Sequence, residues 1–147
     1  MNRTIGRRQL KWLFPFVLGV MACGGPLRYT VHGSPRAPEA DGVVQADVQR
    51  EQSMTRLNIR MEHLAPPGRL QEGGRAYVVW ARRNSGATWI RVGALQYNEG
   101  SRMAEMRDTT VSETSFELIV TVETEPSAQT PSTTIILQQM VNPPRVN

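Results

Sequence analysis

Apolar and polar side chains alternate with a period of two over most of the chain between Asp41 and Val141. In residues 55–62, Leu57, Ile59 and Met61 share one face, and polar side chains occupy the other. This period is typical of half-buried β-strands, whereas helices repeat every 3.6 residues. The alternation therefore limits the chain to a β architecture in which each strand buries one face.

Further segments of the same kind predict strands, and turn-forming residues separate them. Residues 116–123 also carry Ile119 among the polar positions, so we expect this strand to be covered on both faces. A helical turn at residues 103–106 is an alternative, although the neighbouring residues do not extend its pattern. We predict an all-β, two-sheet antiparallel Ig-like sandwich of seven to eight short strands, following an N-terminal signal peptide. The remaining predicted strands are residues 27–32, 44–49, 76–82, 89–95 and 133–140.

The first 22 residues have the composition of a signal peptide. They contain four basic residues and no acidic ones, and end in the 11 apolar residues 12–22. At about 1.5 Å per residue, such a helix is too short to cross a hydrocarbon core of about 30 Å. We therefore expect an exported protein.

The segment Val20-Met21-Ala22-Cys23 resembles the lipobox of bacterial lipoproteins. The resemblance implies a diacylglycerol on the Cys23 thiol, cleavage before this residue and acylation of the new amine. Two or three acyl chains would anchor the protein stably. Gly24 resembles lipoproteins sorted to the outer membrane, if the host has two membranes. The alternative is an ordinary thiol at Cys23.

The expected organisation has four parts. A lipoprotein signal peptide covers residues 1–22, and a Gly- and Pro-rich tether with one strand covers 23–40. The sandwich covers 41–142 and a short tail 143–147. With one cysteine in the chain, an intramolecular disulfide and a cysteine metal cage are excluded.

The net charge of +4 comes from the signal peptide. Without the four basic residues of that segment, 13 basic and 13 acidic side chains remain, and the arginines are scattered singly among acids. Nucleic-acid binding by phosphate neutralisation is therefore not expected.

Four stretches resemble the extracytoplasmic domain of anti-sigma-K factors in their order along the chain. The resemblance covers about residues 57–138 and does not include the family's sigma-binding segment. It implies an Ig-like sandwich with an extracytoplasmic sensing or docking role, without transcription control. The stretches are Tyr-Val-Val-Trp (77–80), Val-Gly-Ala-Leu (92–95), Phe-Glu-Leu-Ile-Val-Thr-Val-Glu (116–123) and Pro-Ser-Thr (131–133).

Candidate catalytic groups are few. An enzyme would need His32 or His63 beside carboxylates in a pocket, and His63 is expected in a loop or at a strand end. The acidic residues show no recognisable metal-ligand spacing, and Gly73-Gly74 lacks the residues of a phosphate-binding loop. We predict no catalytic residues, no metal and no cofactor.

The aromatic residues suggest a candidate binding surface. Trp80 is expected in the core, where its N–H needs one partner. Trp89 is expected on an outer face beside Arg82 and Arg91, either stacked under a guanidinium or exposed to a partner. The candidate binding surface comprises Trp89, Arg91, Arg82 and Tyr97.

Three functions follow as expectations. The first is a non-enzymatic structural or protein-interaction module of the cell envelope, bound to the membrane by its lipid and to an envelope protein partner. The second is a small-ligand or carbohydrate-binding lipoprotein that uses Tyr77, Trp89 and Tyr97. The third is an envelope enzyme. Self-association through sheet edges stays open, and the oligomeric state is not predicted.

Overall fold

The computed structural model describes residues 25–145, which fold into nine strands in two antiparallel sheets. The predicted two-sheet β-sandwich is therefore confirmed. The lipobox and residues 1–22 lie outside the described residues. The strands are β1 (Leu27–His32), β2 (Asp41–Gln49), β3 (Met54–Glu62), β4 (Ala76–Arg82), β5 (Ile90–Ala94), β6 (Gln96–Asn98), β7 (Met103–Val111), β8 (Phe116–Glu123) and β9 (Ile135–Val141).

One sheet has five strands in the order β1-β2-β3-β7-β6, and the other has four in the order β5-β4-β8-β9. A 3-10 turn (Arg50–Gln52) joins β2 to β3, and a short helix, α1 (Pro67–Leu70), precedes β4. Side chains of the facing strands, together with Leu64 from the loop after β3, fill the space between the sheets, and burying each large apolar one contributes roughly 1.5–3 kcal/mol. The largest of these are Tyr77, Phe116, Leu57, Ile59, Met61, Leu64, Leu118, Ile136 and Leu137.

The sequence analysis missed β6 and β7, and its helical turn at residues 103–106 is wrong. In β7 the buried positions Ala104 and Met106 are two residues apart, but the next, Val111, follows after five. A break in the β3–β7 register causes this change, and Asp108 there has a φ of 51°. The Asp108 N–H donates to Asn58 Oδ1 at 2.9 Å. This bulge interrupts the alternation that marks the other strands.

The outer face of the four-stranded sheet is covered by its own loops. Trp80 and Ile119 are buried there, and the half-buried Trp89 and Ala128 pack against them from two loops. All eight residues of β8 are buried, as predicted from the extra apolar residue Ile119. Trp80 is therefore a core residue, but it belongs to an outer layer rather than to the space between the sheets.

The Trp80 indole has the hydrogen-bond partner that its burial requires. Its Nε1–H donates to Thr121 Oγ1 at 2.8 Å, and Thr121 donates in turn to Glu123 Oε1 at 2.5 Å. The backbone N–H of Ser132 donates to the same carboxylate oxygen at 2.7 Å. The network satisfies the buried polar groups and holds the 124–134 loop against the sheet.

The sandwich has two ends, which we define from the strand register. At the entry end, the described chain begins before Leu27, which is level with Ala46 and Leu57. The C-terminal segment lies at this end too, because the Asn142 N–H donates to the Tyr29 hydroxyl. The entry end comprises residues 50–53, 83–89, 112–115 and 142–145, and the far end comprises 33–40, 63–75, 99–102 and 124–134.

Tyr77 gives the fold a predicted sensitivity to alkali. Its buried hydroxyl donates to the Ala65 carbonyl, and burial, followed by the charge of Tyr97, raises the pKa of Tyr77 well above its ordinary value. The neutral phenol is favoured in the folded state, so its contribution is complete below about pH 10 and is lost as pH rises above that value. We expect the free energy of unfolding of the wild type to fall in this range, and Tyr77→Phe to remove the larger part of the fall.

Urea unfolding at a series of pH values measures this effect. At neutral pH, Tyr77→Phe should cost about 1 kcal/mol for the lost hydrogen bond. Tyr29→Phe is the control, because Tyr29 is half-buried at the rim of the core. An alkaline fall of equal size in wild type and Tyr77→Phe would contradict the prediction.

Candidate functional site

The two lateral sides of the sandwich differ, since one is closed by hydrogen bonds. On the β1–β9 side, the chain after β1 crosses to the edge of the other sheet. Ser34 donates its N–H to Ile136 O and its hydroxyl to Ile135 O, both at 2.8 Å. These bonds cover part of the β9 edge, which limits strand addition on this side.

The opposite side is open. The short strand β6 pairs only with residues 103–105 of β7, and β5 pairs only with β4. Among residues 25–145, the outer edge of β5 and that of residues 107–111 of β7 therefore lack a strand neighbour. Each edge carries backbone N–H and C=O groups available to another strand.

A cleft of about 660 Å³ lies between these two free edges, toward the entry end. Toward the far end the two sheets approach each other closely. Gly93 of β5 lies so near Met106 of β7 that a Cβ at this position would be only 3.0 Å from Met106 Sδ. The side chain of Ile90 stands exposed on β5, with 67% of its surface accessible. The cleft is lined by the end of β4, the 83–89 loop, Ile90–Val92 and residues 110–113.

Arginines dominate the charge of the cleft. Arg82 pairs with Glu117 at 2.6 Å, and Arg83 pairs with Glu113 at 2.9 Å. Arg91 donates from Nε and Nη2 to the Pro126 carbonyl at 3.1 and 2.5 Å. No carboxylate of the described residues forms an ion pair with Arg91. Its charge is thus available to an anionic group of a bound molecule.

The structure brings three of the four residues of the candidate binding surface together. Arg82 and Arg91 line the cleft, and the Arg82 guanidinium lies 4.2 Å from the centre of the Trp89 ring. Trp89 is half-buried between this guanidinium and the outer layer around Trp80. In the described structure its ring supports Arg82, which also donates to Glu117 Oε2 and to the Ser85 carbonyl. Glu117 accepts a further bond from Gln138.

Tyr97 lies apart from these residues. It is on β6 in the other sheet, where its ring meets Tyr77 edge to face at 5.5 Å. Its hydroxyl donates to Leu64 O at 3.1 Å, and burial is the main cause that raises the pKa of Tyr97. Tyr77 is fully buried. Tyr77, Trp89 and Tyr97 therefore do not form one exposed aromatic platform.

The chain matches no protein-family model, and neither the curated proteins nor the solved structures contain a match.

One histidine has a carboxylate partner. His63, at a φ of 57°, places Nδ1 2.6 Å from Asp41 Oδ1, and both side chains are exposed. It borders a pocket of about 210 Å³ with Arg102 and Glu39, which pair at 3.0 Å. Within residues 25–145, no hydroxyl or thiol is hydrogen-bonded to the His63 ring, and no group of acidic, His or Cys residues is placed to hold a metal ion. His63 therefore lines this pocket, whereas its partner Asp41 does not, and no nucleophile of the described residues contacts the pair.

Sequence reasoning missed the β7 half of the cleft. Residues 110–113 border the cleft because β6 pairs only with residues 103–105 and leaves the second half of β7 without a neighbour on that side. The sequence placed Ile90 in a strand, but its exposure follows from the open edge of β5, which only the structure shows. One sequence feature indicated that the edge of β7 is open. The turn that begins at Glu99-Gly100 limits β6 to residues 96–98, which are too few to cover the whole of β7.

Proposed function

We propose that the chain is an exported envelope lipoprotein, lipidated at Cys23, whose sandwich is a non-enzymatic module that binds another envelope protein. We place the partner in the cleft between β5 and residues 107–111 of β7. The observation that carries the proposal is the pair of free strand edges beside a cleft lined by arginines. Within residues 25–145, no helix is long and apolar enough to span a membrane.

An extended segment of the partner is the occupant that fits this site. A segment lying along either free edge would complete the backbone hydrogen bonds of that sheet, as in strand addition. The exposed Ile90 offers an apolar contact, and Arg91 offers a guanidinium without a carboxylate partner. We therefore infer an extended partner segment that carries an acidic side chain. The resemblance to anti-sigma-K extracytoplasmic domains favours the same docking role.

Site-specific photocrosslinking in cells tests this proposal. A photoreactive amino acid replaces Ile90 in the cleft or, as a matched control, Met140, which is also apolar and 51% exposed but lies on β9. We expect a protein adduct from position 90 and not from position 140, with its yield greatly reduced when Arg91→Glu is added. Mass spectrometry should place the crosslink in a segment that contains an acidic residue.

Other outcomes would contradict the proposal. Equal adducts at both positions would indicate non-specific contact, and an adduct of twice the chain mass would indicate self-association. No adduct from position 90, together with normal membrane recovery of the protein, would also exclude the cleft as the docking site.

A second candidate function follows from the volume of the cleft, which lies within the range of about 300–1,000 Å³ typical of small-molecule sites. In this case Arg91 would bind an anionic small molecule. Arg91→Glu would abolish ligand-induced thermal stabilisation, and position 90 would give no protein adduct.

A further inference from the structure

The two ends of the sandwich differ in charge. Taking the paired row Arg28, Gln45 and Asn58 as the middle, the entry half has more arginines than acidic residues and the far half has fewer. The entry half contains Arg50, Arg56, Arg82, Arg83 and Arg145 against Asp47, Glu51, Glu113 and Glu117. The far half contains Arg36, Arg60, Arg69, Arg75 and Arg102 against Glu39, Asp41, Glu62, Glu72, Glu99, Glu105 and Glu123.

The length of chain before β1 restricts how far the entry end can lie from the lipid. Cys23 is four residues from Leu27, a span of at most about 14 Å when extended. Leu27 is level with Leu57, three residues from the start of β3, so the edge of the entry end lies roughly 10 Å further out. A membrane-bound Cys23 in an upright domain would therefore hold the entry end within a few ångströms of the surface. The far end would stand about 30 Å higher, the length of β3.

Two exposed guanidinium groups at the entry end lack a carboxylate partner among the described residues. Arg50 donates through Nη2 to the Pro144 carbonyl at 2.5 Å, which also places Arg145 beside the 50–53 turn. Neither arginine takes part in an ion pair within residues 25–145. Guanidinium groups bind phosphate oxygens in a bidentate geometry, and each basic residue near an anionic surface strengthens binding by roughly fivefold.

We propose that the entry end rests on anionic phospholipid headgroups through Arg50 and Arg145, so that the sandwich stands upright with its acidic far end directed away from the membrane. This orientation rests on the proposed lipidation of Cys23. It places the cleft between β5 and β7 close to the surface and opening sideways. A partner segment would thus be bound next to the membrane.

Fluorescence quenching on vesicles tests the orientation with the full lipidated chain. A fluorophore is attached to Gln52→Cys at the entry end or to Ser101→Cys at the far end, and nitroxide-labelled headgroups in phosphatidylcholine–phosphatidylglycerol vesicles quench it. We expect several-fold stronger quenching at position 52. Omitting phosphatidylglycerol, or replacing both entry-end arginines (Arg50→Ala with Arg145→Ala), should lower the ratio of the two signals at least about twofold.

The control is the double variant Arg69→Ala with Arg75→Ala, which removes two exposed arginines from the far end and should leave the ratio unchanged. Equal quenching at both positions, or stronger quenching at position 101, in an acylated and vesicle-bound protein would overturn the orientation alone. A quenching ratio that changes neither when phosphatidylglycerol is omitted nor when the two entry-end arginines are replaced would overturn the headgroup contact. An unacylated protein outside the vesicle fraction would overturn the lipid anchor and the orientation with it.

Discussion

Replacing Cys23 with alanine is expected to move the protein from the membrane fraction to the soluble exported fraction. The thiol is the attachment point that the lipobox resemblance implies, and the chain has no second cysteine to replace it. Each buried methylene contributes about 0.8 kcal/mol, so losing two or three acyl chains removes effectively all stable anchoring. Intact-mass measurement and membrane fractionation of wild type and Cys23→Ala provide the readout.

Met21→Ala is the matched control, because it changes the same segment and retains the thiol. It should remain acylated and membrane-bound. A soluble, unacylated wild type would refute the lipoprotein proposal. A Cys23→Ala variant that stays in the membrane fraction would show that another part of the protein binds the membrane.

Replacing Trp80 with alanine is expected to cause the largest loss of stability in the sandwich. The side chain is fully buried in the outer layer, and its indole N–H donates to Thr121. Truncating a buried tryptophan costs about 3–5 kcal/mol, which is a large part of the 5–15 kcal/mol that stabilises an ordinary domain. The midpoint of thermal unfolding should fall by roughly 10–20 °C.

Met140→Ala is the control for this measurement, since its exposed side chain lies on β9 of the same sheet. It should change the free energy of unfolding by about 0.5 kcal/mol or less. Chemical denaturation of both variants gives the comparison. A loss in Trp80→Ala no larger than that in Met140→Ala would show that the outer layer does not contribute to folding stability.

The strands that sequence reasoning located are those in which one face is uniformly apolar. The prediction for residues 76–82 coincides with β4, and that for 116–123 coincides with β8. Period-two alternation needs only local sequence, because neighbouring side chains of a strand point to opposite faces whatever the partner strand is. The strand β7 was missed because its bulge at Asp108 interrupts the alternation. The buried residues before the bulge have even numbers, and Val111 after it has an odd one.

The candidate site was predictable only in part for a related reason. Arg82, Trp89 and Arg91 are close in sequence, and they lie on the adjacent strands β4 and β5 and on the loop that joins them, so local reasoning placed them together. Tyr97 is near them in the chain but belongs to the other sheet, because the chain crosses between the sheets after β5. The β7 side of the cleft depends on which residues of β7 lack a neighbour, and this is a property of the whole sheet.

The sequence by itself determined the β architecture, the approximate strand positions and the expectation of an N-terminal lipid anchor, since each depends on a pattern of neighbouring residues. Only the tertiary structure decided which edges stay open, where Trp80 is buried and how the charges divide between the two ends. These properties depend on strand order and register. Ile90 and Val111 line the same cleft although they are distant in sequence, and no local periodicity predicts such a juxtaposition.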